Sequence, residues 1–300
     1  LTASIPVTGP AGGPMATLRT LLSGYGAATG VPPLFDQTPE QRLDTALRVG
    51  AVAPGLLAAA HRVSRGDRPL QPRDDLGFTA NYLYQLSGTE PTPDQVAALG
   101  AYLIAAIDHG FNASTFTARV IASTGADLVA CVTGALGALS GPLHGGAPGR
   151  ALAALNEIGT ADRIEPWVRA KITSGERIMG FGHPVYRTED PRSAMLKQLA
   201  LALGGPRVEL AVETERQVLR LLEELKPGRA LHTNIEFYAA IVMEHCGIPA
   251  ELFTPTFAVA RLIGWTAHVL EQAQDPKIIR PSSRYVGPPP PQPVPALAER

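Results

Sequence analysis

The chain is expected to fold as an almost entirely α-helical protein, and three observations predict it. Thr38-Pro39-Glu40-Gln41 and Thr92-Pro93-Asp94-Gln95 repeat one device: a threonine cap, proline at the first helical position and glutamine three residues after the cap. Behind the second device, Val96, Leu99, Leu103, Ile104 and Ile107 recur at helical spacing until Gly110 stops the run. Runs that alternate polar and apolar residues are nearly absent, while alanine is abundant.

Taken in order, helices are expected over 17–28, over 39–50 behind the Thr38 cap, over 77–86, and from Thr92 to His109, where a histidine also suits the negative helix end. Further helices are expected over 112–125 and 127–139, the latter a core helix that runs into a Gly/Pro loop containing His144. The list continues with 146–157, 162–173, 191–203 behind an Asp190 cap with Pro191 at the first helical position, and 207–224. It closes with 234–246, capped by Asn234 and ended near Gly247, and 255–272. The tail Pro288–Pro295 cannot continue a helix and reads as an extended polyproline arm or spacer; an SH3-type ligand is the other reading. No internal repeat is visible.

With 300 residues, 45% of them hydrophobic and 18% charged, the chain is globular. Acids (27) nearly balance bases (26), which argues against nucleic acid or an anionic membrane as the main partner. Anion binding must come from local arginines. Cys131 and Cys246 lie in apolar segments without metal-ligand spacing, as buried thiols of a reducing compartment would. The uncharged stretch Leu128–Gly149 is broken by glycines, two prolines and a histidine, so it is not a membrane span. No charged-then-apolar signal opens the chain, which begins at Leu1, and the expected location is cytoplasmic.

Three segments share a chemical theme: Ser140–Gly146 around His144, Gly180–Arg192 around His183, and Thr233–Tyr238 around Glu236. Each sets one acid–base side chain on a Gly/Pro turn or at a helix start, a minimal kit for taking a proton from carbon beside a carbonyl. His144 reads as a fixed neutral donor to a developing enolate, or as a ring satisfied by its own loop. Arg192, in a capped first turn, suits a carboxylate, or is a solvated surface charge. Glu236, in the first turn of its helix, has its ionised form favoured by the positive helix end, or merely decorates that dipole. Arg261 shares a helical face with Phe257, Trp265 and His268, so it is expected to be buried and paired with a protein acid or a substrate carboxylate. His61, His232, His245 and His268 read as structural.

In order and wording these segments resemble the citrate synthase family, from about Pro14 to Gly287. Six short motifs carry the resemblance: the Gly-Pro-Leu-His144-Gly loop, Gly-His183 through Asp-Pro-Arg192, the Asn234-x-Glu236 helix start, His109 to Ser114, Phe257 to Gly264, and Arg280-Pro281. The resemblance implies an all-α, two-domain fold, with 1–146 and 251–300 forming a large domain and 147–250 a small domain inserted in it. It implies an acyltransferase that condenses acetyl-CoA with oxaloacetate and hydrolyses citryl-CoA, without a metal or resident cofactor. His144 would polarise the thioester carbonyl, Glu236 would take the methyl proton, and His183 would donate to the oxaloacetate ketone. His109, Arg192 and Arg261 would hold the oxaloacetate carboxylates, joined across a homodimer interface by Arg280 of the second subunit. Arg187 and the backbone at Gly180 and Gly182 would face coenzyme A.

Two departures stand out. The family's usual base is aspartate, where this chain has Glu236; the extra methylene either displaces the carboxylate by about 1 Å, costing on the order of 100-fold in rate, or is absorbed by a slightly recessed backbone. The second is favoured, since the rest of the set is complete. Many family members also carry a further amino-terminal region before the segment matching Pro14–Ser23, with contacts to CoA or the partner subunit. The alternatives are a 2-methylcitrate synthase using propionyl-CoA, an inactive homologue that binds CoA or dicarboxylates, and a helical scaffold acting through its proline-rich tail.

Overall fold

The computed structural model describes residues 12–141, 144, 145, 147–182, 188–228, 231–292 and 294. Among these, twelve α-helices build the protein: α1 (Gly13–Thr29), α2 (Pro39–Ser64), α3 (Phe78–Ser87), α4 (Pro93–Ala106), α5 (Ala113–Ala122), α6 (Leu128–Leu139), α7 (Ala147–Ile158), α8 (Ile164–Thr173), α9 (Pro191–Leu203), α10 (Pro206–Leu225), α11 (Ile235–His245) and α12 (Phe253–Gln272). No strand forms among the described residues; the extended pairings are two isolated bridges, Pro33 with Asp127 and Phe181 with Thr233.

Both threonine devices close reciprocally. Thr38 Oγ1 accepts from the Gln41 backbone N–H at 3.3 Å while Gln41 Oε1 accepts from the Thr38 N–H at 2.8 Å. Thr92 and Gln95 do the same at 3.2 and 3.0 Å, satisfying N–H groups that a helix start leaves orphaned.

α1 starts four residues before its expected bound and α5 stops three short of its own; the departures of α2 and α4 have a clear physical reason. α2 continues to Ser64 rather than stopping near residue 50, with Pro54 inside it. An interior proline costs roughly 3 kcal/mol, but Leu57 and Ala58 beyond it are fully buried, and α2 packs against α1, α3 and α12. Core burial overrides the local stop signal. By length and composition alone α2 could cross a membrane, yet here its apolar residues join the core.

α4 ends at Ala106 with Ile107 as its cap, so His109 lies in the following loop and not in the last helical turn. The reason is a close helix crossing. A Cβ at Gly264 of α12 would stand 2.1 Å from the Ile107 carbonyl oxygen, so only glycine lets α12 approach here. Beyond that point Asp108 Oδ2 accepts the Gly110 N–H at 3.2 Å and the chain turns through Gly110 at φ +61.

The main core draws on α1 through α7, α9, α11 and α12, with Trp265, Tyr82, Tyr102 and Tyr238 among its largest buried side chains. A second cluster gathers Ile158, Ile164, Val168, Ile178, Val218, Leu221 and Leu222, where α8 meets α10. After α12 the described tail runs without helix and exposes Ile278, Tyr285 and Val286.

Candidate active site

The site begins where the starts of α9 and α11 meet. Asn234 caps α11 by accepting the Glu236 N–H, and its amide donates to the Gly182 carbonyl at 2.9 Å. The Asn234 N–H bonds the Gly180 carbonyl at 2.9 Å, and the Gly182 N–H bonds the His232 carbonyl at 2.7 Å. This two-way pairing fastens the Gly180–Gly182 turn to the helix that carries Glu236. Gly180 has φ +91, and a Cβ there would meet Phe237 at 3.0 Å, so both conformation and space call for glycine.

Asp190 caps α9 and does more than capping requires. Its buried carboxylate accepts Arg192 N–H, takes a two-pronged grip from Arg192 (Nε–Oδ1 3.0 Å, Nη2–Oδ2 2.9 Å) and accepts the Ile235 N–H of α11 at 3.2 Å. Burial alone would raise this carboxyl, but the Arg192 guanidinium and the two backbone donors hold it below the usual range. Arg192 is therefore engaged by a protein acid, a pairing its place in the first turn did not reveal.

Glu236 behaves oppositely. Its position in the first turn of α11 is as expected, but the expected preference for the charged form is corrected: loss of solvation raises its carboxyl to about 7. The positive charges of Arg192 and Arg261 oppose that rise, and Asp190 adds to it. Desolvation outweighs the helix end because the dipole contributes at most about 2 kcal/mol, while burial can move a carboxyl by several pH units.

Arg261 is 2% exposed, as its aromatic face predicted. Its Nε donates to the Ala106 carbonyl at 2.8 Å and its guanidinium lies 4.7 Å from the centre of the Phe257 ring. Among the described residues no carboxylate forms an ion pair with it, and desolvation lowers it to about 10, so it stays charged at neutral pH. Asp108, Tyr102 and Glu236 counter that lowering while Arg192 adds to it, which gathers α4, α9, α11 and α12 around one charge.

His144 sits in the turn after α6, its N–H on the Gly141 carbonyl at 3.0 Å. Gly145 beside it is sterically required, since a Cβ would stand 2.2 Å from the Leu139 carbonyl oxygen. The ring Nε2 lies 2.8 Å from Ser114 Oγ and takes the Ser114 backbone N–H at 3.3 Å. A backbone N–H can only donate, so Nε2 is the acceptor and we assign the proton of the neutral ring to Nδ1. Burial, with help from the Arg261 charge, lowers the imidazole's proton affinity and keeps it neutral. Asn112 completes the support: its Oδ1 caps α5 through the Thr115 N–H and lies 2.7 Å from Ser114 Oγ, whose one proton goes either to it or to His144 Nε2.

The structure thus brings together Glu236, Arg192, Arg261 and His144, with Gly180 and Gly182 at the base of the α11 start. His109 is half-buried in the neighbouring loop, and that loop is braced from α12, where His268 meets Asp108 at 3.0 Å and Arg119 at 3.1 Å. Arg280 is exposed on the tail, away from this cluster. His183 and Arg187 lie outside the described residues. Sequence reasoning gave no role to Asp190 beyond its cap, to Ser114 beyond its motif, or to Tyr102, a helical apolar position on periodicity alone. Among the described residues no group of three or more His, Cys, Asp or Glu side chains could hold a metal.

A helical fold that gathers a carboxyl raised to about 7, a neutral imidazole and two largely buried arginines has the groups that acid–base chemistry beside an anion requires. Residues 3–282 match the model of the family described as citrate synthase, C-terminal domain. Citrate synthase 2 of Bacillus subtilis is 43% identical over 277 residues, 92% of this chain and 73% of that protein. The putative citrate synthase 2 of Mycobacterium bovis is 49% identical over 215 residues, 72% of this chain and 57% of that protein. Thermoplasma acidophilum citrate synthase, solved with carboxymethyl coenzyme A and oxaloacetate, aligns with a TM-score of 0.82 at 28% identity, over 96% of this chain and 76% of that one. The chain belongs to the citrate synthase family, and so to a family of acyltransferases.

Proposed function

We propose that the chain works as a citrate synthase, joining acetyl-CoA to oxaloacetate and releasing citrate and coenzyme A. The observation that carries this reading is the meeting of Glu236, raised to about 7, with a neutral His144 and two arginines. An acetyl thioester is a weak carbon acid, so a carboxylate can deprotonate it only if the enolate oxygen is stabilised as it forms. Glu236 takes the methyl proton while His144 donates from Nδ1 to the thioester oxygen. The enolate carbon then attacks the ketone carbon of oxaloacetate, whose oxygen takes a proton from His183, giving citryl-CoA. Water cleaves that thioester to citrate and coenzyme A.

His109, Arg192, Arg261 and Arg280 of a second subunit hold the dicarboxylate, and Arg187 with the Gly180–Gly182 backbone meets coenzyme A. Arg261 supports this division, being buried and charged without a protein carboxylate among the described residues. A homodimer is supported by the exposure of Arg280 on a tail that also exposes Ile278, Tyr285 and Val286. Closure of residues 147–250 over the remainder would exclude water and align the reacting carbons. The two unpaired, buried thiols, Cys131 and Cys246, fit a cytoplasmic setting. Relatives carrying the name citrate synthase favour acetyl-CoA over the propionyl-CoA alternative.

The test is thiol release from acetyl-CoA by the purified protein, with and without oxaloacetate. Release that depends strictly on oxaloacetate is expected. A folded protein that releases none would overturn the reading.

A further inference from the structure

Tyr102 is a large buried polar side chain near the cluster that the scheme above leaves unused. It stands in α4 with 1% exposure, and its hydroxyl oxygen, shut away from solvent, has no hydrogen-bond partner among the described residues. A buried phenol hydroxyl ordinarily finds a partner, because leaving it unbonded forfeits the bond it made with water. Its location suggests what the partner is. α4 packs against α9, α11 and α12, the three helices that carry Arg192, Glu236 and Arg261. Ala106, one turn further along the same face of α4, accepts the Arg261 Nε–H. Tyr82, the neighbouring buried tyrosine, is already satisfied by Thr256 at 2.7 Å and does not compete.

Across this junction Glu236 has the complementary need. Its backbone N–H is capped by Asn234, but no described group donates a hydrogen bond to its carboxyl oxygens. A buried donor without an acceptor and a half-buried carboxyl that no described group bonds thus lie on helices of one junction. The Glu236 charge also reaches Tyr102, where it is the first of the charged groups that raise the phenol, after burial itself.

We propose that Tyr102 is a positioning residue for Glu236, its hydroxyl donating to one carboxyl oxygen when the site closes over its substrates and leaving the other oxygen to take the proton from carbon. This deepens the citrate synthase reading and rests on it. A hydrogen bond to the ionised carboxyl favours that form, so the bond also draws the base toward the state it must hold at neutral pH. It restricts the longer glutamate side chain to one orientation as well, supplying what the extra methylene relative to aspartate would otherwise loosen.

Tyr102→Phe removes the hydroxyl and keeps the ring that fills the core. On wild-type protein that first shows oxaloacetate-dependent thiol release, which settles the underlying reading separately, the variant should lose roughly tenfold or more in kcat. Its KM for oxaloacetate should stay within about twofold, because the arginines are untouched. The acid limb of kcat against pH should move up by roughly one unit, since the carboxyl loses a donor that favoured its charged form. The melting temperature should not fall, because the hydroxyl bonds none of the described residues in the resting fold. In a Glu236→Gln background the same change should cost nothing further in kcat. Unchanged kcat and acid limb, a defect confined to oxaloacetate KM, or full additivity with Glu236→Gln would each overturn the proposal.

Discussion

Two carboxylates stand at adjoining helix starts, Asp190 at the cap of α9 and Glu236 in the first turn of α11; Arg192 grips the first and acts on the second by its charge alone. Their proton affinities nonetheless diverge. Asp190 is bonded by a guanidinium fork and two backbone N–H groups, so it stays ionised below the usual range despite burial. Glu236 is desolvated without such donors and rises to about 7. Helix-end charge is common to both positions, so it does not decide the outcome; hydrogen bonding to the charged form does. One start is thereby an anchor between two helices, and the other carries a carboxyl raised toward neutrality, as the proposed base requires.

The strongest way to break the comparison is to neutralise each member in turn. Glu236→Gln should lower kcat by roughly 10³-fold, because the proton acceptor is gone. Oxaloacetate affinity, measured by calorimetry, should stay within about threefold, since the amide leaves the arginines in place. Collapse of oxaloacetate binding would instead put Glu236 among the anion contacts. Asp190→Asn should act on the fold, removing the carboxylate charge that grips Arg192 and weakening the tie to Ile235. A loss of about 3 kcal/mol in urea unfolding is expected, with no comparable loss from Glu236→Gln.

pH sharpens the same contrast. Glu236 keeps its proton in the folded state up to about 7, while in the unfolded chain it loses it near 4.5, so stability from this group falls as pH rises through that window. Asp190 works the other way: its contribution is present above the unfolded aspartate value and is lost as acid protonates the folded carboxylate. Unfolding curves of Glu236→Gln against wild type should therefore diverge above pH 5, with the glutamine form the more stable at pH 8. Activity has the opposite slope, since the proposed base works only when ionised, and kcat/KM, which reports the free protein, should fall below about pH 7. Coinciding stability curves from pH 5 to pH 8 would show that desolvation does not govern Glu236.

What the sequence made legible follows the range of the forces involved. Caps act over three residues, and Thr38, Thr92, Asp190 and Asn234 all cap as read. Arg261 was placed inward by its aromatic face, and burial bears this out. The expected bound of residue 50 falls short because the gain that carries α2 on past Pro54 comes from packing against α1, α3 and α12. His109 was assigned to a helix end because the Gly264 approach that stops α4 at Ala106 comes from a helix about 150 residues away. The raised Glu236 carboxyl and the unsatisfied Tyr102 hydroxyl have the same origin. Desolvation is set by everything packed around a group, and no local pattern carries it.

The smallest effect is expected where His144 leans on α5. Ser114 gives the ring two contacts, a backbone N–H that any residue would supply and a hydroxyl that alanine would not. Ser114→Ala therefore keeps the donor that directs the ring proton to Nδ1 and removes one neutral hydrogen bond, worth about 1 kcal/mol. The Asn112 cap of α5 survives through the Thr115 N–H. A fall in kcat of roughly fivefold is expected, with oxaloacetate KM unchanged. A loss approaching that of Glu236→Gln would mean that the hydroxyl, rather than the backbone, decides which ring nitrogen holds the proton. No loss at all would mean that the hydroxyl serves Asn112 alone and that His144 is held by its loop and the α5 backbone.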